Sequence, residues 1–150
     1  MAHTYTSLMA HIIFSTKDRA PVLTSAWRPQ LFAYMGGIIK KHDAVPILIN
    51  GVDDHVHVFA NAPASLALSE LVQHIKGGSS YWVNRQSEFK TKLAWQVGYG
   101  AFSVSASKVD AVKTYIANQE RHHRKLTFKE ELLRFLDEYA VKYEEKYLWD

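Results

Sequence analysis

Cysteine is absent from this chain. That excludes disulfides, thiolate zinc sites and cysteine nucleophiles together, and it suits a reducing compartment. Any metal chemistry must therefore draw on histidine, carboxylate or amide oxygen. Long apolar runs are missing too: none approaches the roughly 18 residues of a membrane span, which excludes an integral helical membrane protein. The opening MAHTYTSLMA has no basic segment followed by an apolar one. Export by a signal peptide is not expected, and the expected location is cytoplasmic. Internal repeats and low-complexity tracts are lacking as well. What remains is an ordinary globular composition of 150 residues, 47% hydrophobic and 22% charged. That is enough for one domain, too short for two comfortable ones, and inconsistent with wholesale disorder.

Charge of one sign is also scarce, for the formal net charge is only +3. From residue 108 onward nine basic residues face nine acidic ones, so the excess lies in residues 1–107, nine against six. This balance permits nucleic-acid binding without demanding it.

The segment 5–16, YTSLMAHIIFST, is rich in β-branched and aromatic residues and reads as a first strand. Thr24 or Ser25 can cap a helix with Leu31, Phe32, Met35, Ile38 and Ile39 at helical spacing. Residues 45–50, VPILIN, predict a second strand. The turn Gly51-Val52-Asp53-Asp54 leads to a third over 55–60, making a hairpin. Leu68, Leu71, Val72 and Ile75 mark a second helix, which either breaks at Gly77-Gly78 or runs on to Val83. A fourth strand is expected over 95–105. Ser107-x-x-Asp110 and Thr127-x-x-Glu130 resemble capping boxes for two further helices, one over about 108–120 and one reaching Tyr143.

The order β-α-β-β-α-β followed by helices predicts an α+β chain of the ferredoxin-like (RRM-like) type, one antiparallel sheet with two helices on one face. Its other face needs a cover: nucleic acid, a partner subunit or the C-terminal helices.

Two constellations could carry chemistry. In His55-Val56-His57 the imidazoles stand two apart on a strand and project to one face. The alternate residues Val56, Val58 and Ala60 are small and apolar, so the histidines belong to the face away from the helices. Such a pair suits a metal or a phosphate, although half-exposed strand histidines are the commoner case. Tyr115 and Gln119, four apart on a helix, share a face. Each has an ordinary reading as a packing or solvated residue. A phenol, however, can attack an electrophile that a metal polarises, and an amide oxygen is a neutral ligand.

Taken together these segments resemble the single-tyrosine HUH transposases of the insertion-sequence 200/605 type, the IS200-like or REP-associated tyrosine transposases. The matching segments are Ile13-Phe14-Ser15-Thr16-Lys17-Asp18-Arg19 with Pro21-Val22-Leu23, Gly51 to Phe59, Lys76-Gly77-Gly78-Ser79-Ser80, and Tyr115-Ile116-x-Asn118-Gln119. The likeness covers roughly 5–123 of a single domain spanning 1–150. The stretch 124–150 reads as a helical extension with no family role.

The resemblance implies that His55, His57 and Gln119 bind a divalent ion, Mg2+ or Mn2+, and that Tyr115 attacks a phosphodiester of single-stranded DNA. The product is a 5′-phosphotyrosine link that allows strand transfer, with short hairpins recognised near the cut. The resemblance further implies a homodimer in which the tyrosine helix serves its own or the partner's histidines. Lys17, Arg19, Lys76 and Arg85, with Lys90 and Lys92, are candidates for a phosphate-binding surface. Trp82, Trp95, Tyr99 and Phe102 could stack on bases, though core packing is the ordinary reading. His122 and His123 are expected to be solvated loop residues, and His74 a surface or groove residue. Asp53 and Asp54 fit the turn, with support of a metal site a second reading for Asp54.

Two other functions fit parts of the pattern. A non-catalytic single-stranded nucleic-acid binder on the same fold could lose any of Tyr115, His55, His57 or Gln119, whereas this chain retains all four. A two-histidine phosphoesterase would repeat a His-x-Thr/Ser element, which is not found.

Overall fold

A computed structural model describes residues 3–149. Strand β1 (Met9–Ser15) is flanked on both sides, which is why six of its seven residues are buried. The other strands are β2 (Val45–Gly51), β3 (His55–Asn61) and β4 (Gly100–Ser103). They form one sheet in the order β2-β3-β1-β4, every neighbouring pair antiparallel. The crossover order and the two intervening helices, α1 (Arg28–Lys41) and α2 (Leu68–Asn84), are those of the expected α+β ferredoxin-like fold.

The pleat sorts the side chains. Ile12, Phe14, Val56, Val58 and Ala60 pack with Leu31, Met35, Ile39, Leu71, Val72 and Ile75 of the two helices. Residues one step out of phase face the other way. There the chain folds back on itself through α3 (Val109–Ala117), α4 (Gln119–His122) and α5 (Phe128–Glu138). Ile13 and Phe102 meet Phe128, Leu132 and Leu136 of α5. Phe59 and Val104 meet Ile116 of α3. The face that the sequence left in need of a cover is thus covered by the C-terminal helices of the same chain.

Several boundaries differ from expectation. The fourth strand shrinks to Gly100–Ser103: Trp95 makes only an isolated bridge with Thr16, and the Lys76 ammonium holds the intervening loop by donating to the carbonyls of Gln96 (2.6 Å), Val97 (3.2 Å) and Gly98 (2.8 Å). Neither Thr24 nor Ser25 caps α1; Trp27 stands at its N-cap without a side-chain bond, and Pro29 falls in the first turn, where its missing N–H costs nothing. Helix α2 runs unbroken through Gly77-Gly78. A Cβ on Gly78 would come within 2.9 Å of Ile38 Cδ1, so glycine lets the two helices approach.

The Ser107 box does not form. A one-turn helix (Ala106–Lys108) precedes α3 instead, and Ser107 pairs with Ser105 at 3.1 Å. The Thr127–Glu130 box does form at the start of α5, both reciprocal bonds present. That helix ends at Glu138 rather than at Tyr143, where Ala140 takes a positive φ of 54°.

Leu132 is 4% exposed and joins α5 to the sheet. Leu132→Ala is expected to destabilise the protein by about 2–5 kcal/mol, the usual range for a buried leucine truncation. Urea unfolding followed by circular dichroism measures it.

Candidate functional site

The hairpin between β2 and β3 sets the position of the two strand histidines. A Cβ on Gly51 would meet the His55 carbonyl oxygen at 2.4 Å, so only glycine allows this tight return. His55 and His57 then project from β3 toward α5, and both are fully buried.

Their Nε2 atoms converge on one oxygen. Glu131 Oε1, from α5, lies 3.3 Å from His55 Nε2 and 3.0 Å from His57 Nε2. His123 Nε2, from the loop before α5, lies 3.2 Å from the same oxygen and 3.0 Å from His55 Nε2. Glu131 is itself fully buried. The other ring nitrogens are engaged behind the cluster. His55 Nδ1 meets Asp54 Oδ1 at 2.6 Å, and His57 Nδ1 meets His11 Nε2 of β1 at 2.7 Å. An Nδ1–H donated to Asp54 leaves the His55 Nε2 with a lone pair directed inward, the arrangement that metal-ligating histidines use. His55, His57, His123 and Glu131 together can hold a divalent metal ion.

Tyr115 reaches the same carboxylate from α3, its hydroxyl donating to Glu131 Oε2. Its ring stacks on His122 with centroids 4.5 Å apart and stands 6.0 Å from the His57 ring. Helix α3 stops at Asn118, and the Gln119 that follows is fully buried. The Gln119 Nε2 donates to the Tyr115 carbonyl at 3.4 Å, while its Oε1 has no hydrogen-bond partner. An orphaned buried acceptor of this kind fits a neutral donor to a cation. From β2, Asn50 Nδ2 donates to the carbonyls of Ile116 (2.8 Å) and Ala117 (3.4 Å), fixing the end of α3.

The electrostatics follow from this crowding. Burial works against the Glu131 anion, but hydrogen bonds from His123, His55 and His57 outweigh it and hold the carboxyl far below the ordinary range. Burial also pulls the His55 imidazole down, yet hydrogen bonds to Asp54 and Glu131 leave it above its usual value. Burial dominates at His57 and lowers it despite Glu131. It lowers His11 to about 3, with His57 adding to the effect. Tyr115 is pushed well up, by burial first and then by the Glu131 charge, with Arg134 and Gln119 pulling the other way.

A single chain therefore joins Tyr115 to His55 and His57 through Glu131, while the Gln119 side chain contacts the Tyr115 backbone. Two histidine expectations need correction: His123 belongs to the cluster, and His122 stacks on the tyrosine rather than lying in solvent. Asp54 takes the supporting position. His74 stacks on His42 with centroids 3.9 Å apart, away from this cluster, in a groove between α1 and α2.

The four cationic candidates lie outside the two clefts that flank the buried centre. One cleft, of about 400 Å³, is lined by Arg28, Asp54, His123 and Arg124 among others. The second, of about 350 Å³, is lined by His11, Lys108, Tyr115 and Arg134 among others. Lys17 is exposed. Arg19 sits 5.9 Å from the Trp149 ring, and Arg85 donates to the Tyr81 hydroxyl at 2.7 Å. Lys76 is half-buried on its three carbonyls, and burial lowers its ammonium to about 8.

Glu131 and His11 carried no functional expectation. Each left a faint sign: an acid three residues after Phe128, in line with the apolar stripe 128-132-135-136, and a histidine inside the apolar run MAHIIFS.

The sequence has relatives among known proteins. It matches the family described as "Transposase IS200 like" over residues 4–119, and the chain belongs to that family. Among solved structures, a candidate transposase from Deinococcus radiodurans R1 is similar at 21% identity with a TM-score of 0.59, covering 79% of this chain and 96% of that one. A REP-associated tyrosine transposase bound to a REP hairpin is similar at 12% identity with a TM-score of 0.53, covering 77% of this chain and 67% of that one. At these identities the likeness is one of fold. No curated protein matches the sequence.

Because His11 stays neutral when folded, its protonation favours the unfolded chain. Its contribution is complete above about pH 6.5, the unfolded value, and is lost progressively as pH falls toward its folded value of about 3. His11→Gln is expected to flatten the acid side of the stability profile by up to about 1.4 kcal/mol per pH unit in that window. Urea midpoints at a series of pH values, compared with wild type, measure the difference.

Proposed function

We propose that this transposase cleaves and rejoins single-stranded DNA through Tyr115, in a reaction that depends on a divalent metal held by the histidine cluster. The observation that carries the reading is the convergence, in one chain, of the Tyr115 hydroxyl and the His55–His57 pair on a single buried centre.

The bound ion would supply Lewis-acid stabilisation of the charge that builds on a non-bridging phosphate oxygen. The chain supplies the rest. Tyr115 Oη forms a bond to phosphorus as its proton leaves, and the P–O3′ bond breaks, with the departing O3′ taking up a proton. The result is a 5′-phosphotyrosine and a free 3′-OH. Attack by a different 3′-OH reverses the step, so strands are rejoined without hydrolysis. His57 and His55 orient the centre, held in turn by His11 and Asp54. Gln119, whose Nε2 donates to the Tyr115 carbonyl, offers its unpartnered amide oxygen as a neutral ligand.

The two flanking clefts carry Arg28 and Arg124 on one side and Lys108 and Arg134 on the other. These cations suit the phosphates of a strand crossing the site, a better placement than that of Lys17, Arg19, Lys76 or Arg85. DNA hairpins are the proposed substrate ends, by analogy with the hairpin-bound structural neighbour. A homodimer stays part of the proposal. The close approach of Tyr115 and His57 within one chain supports action in cis.

The test is a covalent adduct. Incubation with single-stranded DNA from the flanks of the gene plus Mg2+ or Mn2+ is expected to give a denaturation-resistant protein–DNA species on the fragment 3′ of the cut. Tyr115→Phe should remove it entirely, and His57→Ala should weaken it. An adduct undiminished in Tyr115→Phe would falsify the nucleophile assignment. Binding without any adduct in the wild type would favour the non-catalytic reading.

A further inference from the structure

We propose that the C-terminal helix completes the active centre: Glu131 and His123 join His55 and His57 as ligands of a transition-metal ion, and the second oxygen of Glu131 holds the Tyr115 hydroxyl. Both added ligands lie beyond the segment 4–119 that matches the family. The inference rests on the reading above only in taking the strand histidines as a cation site.

Geometry carries the first part. Four donor-to-donor distances within the set are 3.0, 3.0, 3.2 and 3.3 Å. Four ligands arranged tetrahedrally at about 2.0–2.1 Å from an ion stand about 3.3 Å apart, so four of the six edges of such a shell are close to that length, and all four atoms lie within 4.8 Å of one another. Proton placement points the same way. His55 spends Nδ1 on Asp54 and His57 spends its own on His11. Each ring is thus held from behind at Nδ1 and turns its Nε2 toward Glu131 Oε1, the atom that binds a cation when the imidazole is neutral.

Donor chemistry selects the metal. Three imidazoles and one carboxylate suit zinc, manganese, iron or cobalt, whereas magnesium prefers oxygen ligands and retains several waters. The expectation of Mg2+ or Mn2+ is thereby narrowed to the transition-metal side.

The second part rests on the two oxygens of one side chain. Oε1 faces the imidazoles and Oε2 accepts from the phenol, so a single rigid carboxylate fixes the distance between cation and nucleophile. Glu131 is held in turn by the packing of Phe128, Leu132 and Leu136 on its own helix. It is a positioning residue for Tyr115.

The full chain, stripped of metal by chelator dialysis, is titrated with Co2+ in excess Mg2+. One Co2+ per chain should bind with the intense visible absorption of four- or five-coordinate cobalt and be displaced by one equivalent of Zn2+, but not by Mg2+. Glu131→Gln and His123→Ala should each weaken binding by about 10–100-fold or more. Glu130→Gln, on the exposed neighbour that keeps the capping box, should not. Thermal melting checks each fold. If Glu131→Gln does not fold, the loop variant His123→Ala decides the ligand set. Displacement by Mg2+, or wild-type affinity in both variants, overturns the metal assignment.

For the phenol, fluorotyrosine at position 115 is followed by fluorine NMR in the metal-free protein. Its resonance should move toward the solvent value in Glu131→Gln and stay in place in His123→Ala; no movement in Glu131→Gln overturns the positioning role. Cobalt bound without any DNA adduct would remove the cleavage reading and leave this centre intact.

Discussion

A buried anion is the most demanding feature of this molecule, and Glu131 is one. A carboxylate taken out of water must be matched almost completely by donors or charges. Here three imidazoles and a phenol do so, drawn from β3, the loop before α5, and α3. Each of those elements must reach one point in space, so the return of the C-terminal helices over the sheet is tied to the chemistry beneath them. The apolar stripe of α5 supplies the driving force for docking, and Glu131 supplies its register: a slide of one residue along the helix would strand the charge.

The sheet contributes rigidity from the opposite direction. Val56 and Val58 are locked into the α1–α2 core, so His55 and His57, which alternate with them along β3, have little freedom. Behind them, Asp54 and His11 fix both rings. The site is thus built from stiff elements and two layers of polar contacts, and every polar contact in the second layer comes from β1 or from the hairpin.

Much of this was legible beforehand. Alternation in 55–60 gave the strand and the shared face of the two histidines, because a period of two leaves no other solution. The Thr127 box announced its helix because both partners are local. What escaped detection was long-range. Glu131 looks like one of nine balanced acids until the tertiary fold turns the stripe of α5 inward. His123 sits in a polar loop whose path the sequence does not specify. Ser107 offered a cap that the one-turn helix before α3 pre-empted, and the fourth strand kept only Gly100–Ser103 of its expected 95–105, its first part becoming a loop tethered by Lys76. Local patterns yield elements; the partner that competes for a side chain is set by the fold.

Asn50 adds a constraint of another kind. Its amide clasps the last carbonyls of α3 just before the chain bends at Asn118. The tyrosine is therefore suspended between two anchors, a sheet-edge amide at the base of its helix and a carboxylate at its tip. A helix pinned only at the tip could swing about that point whenever the tip let go. Pinned at the base as well, it keeps the phenol on one line whether or not the carboxylate holds it.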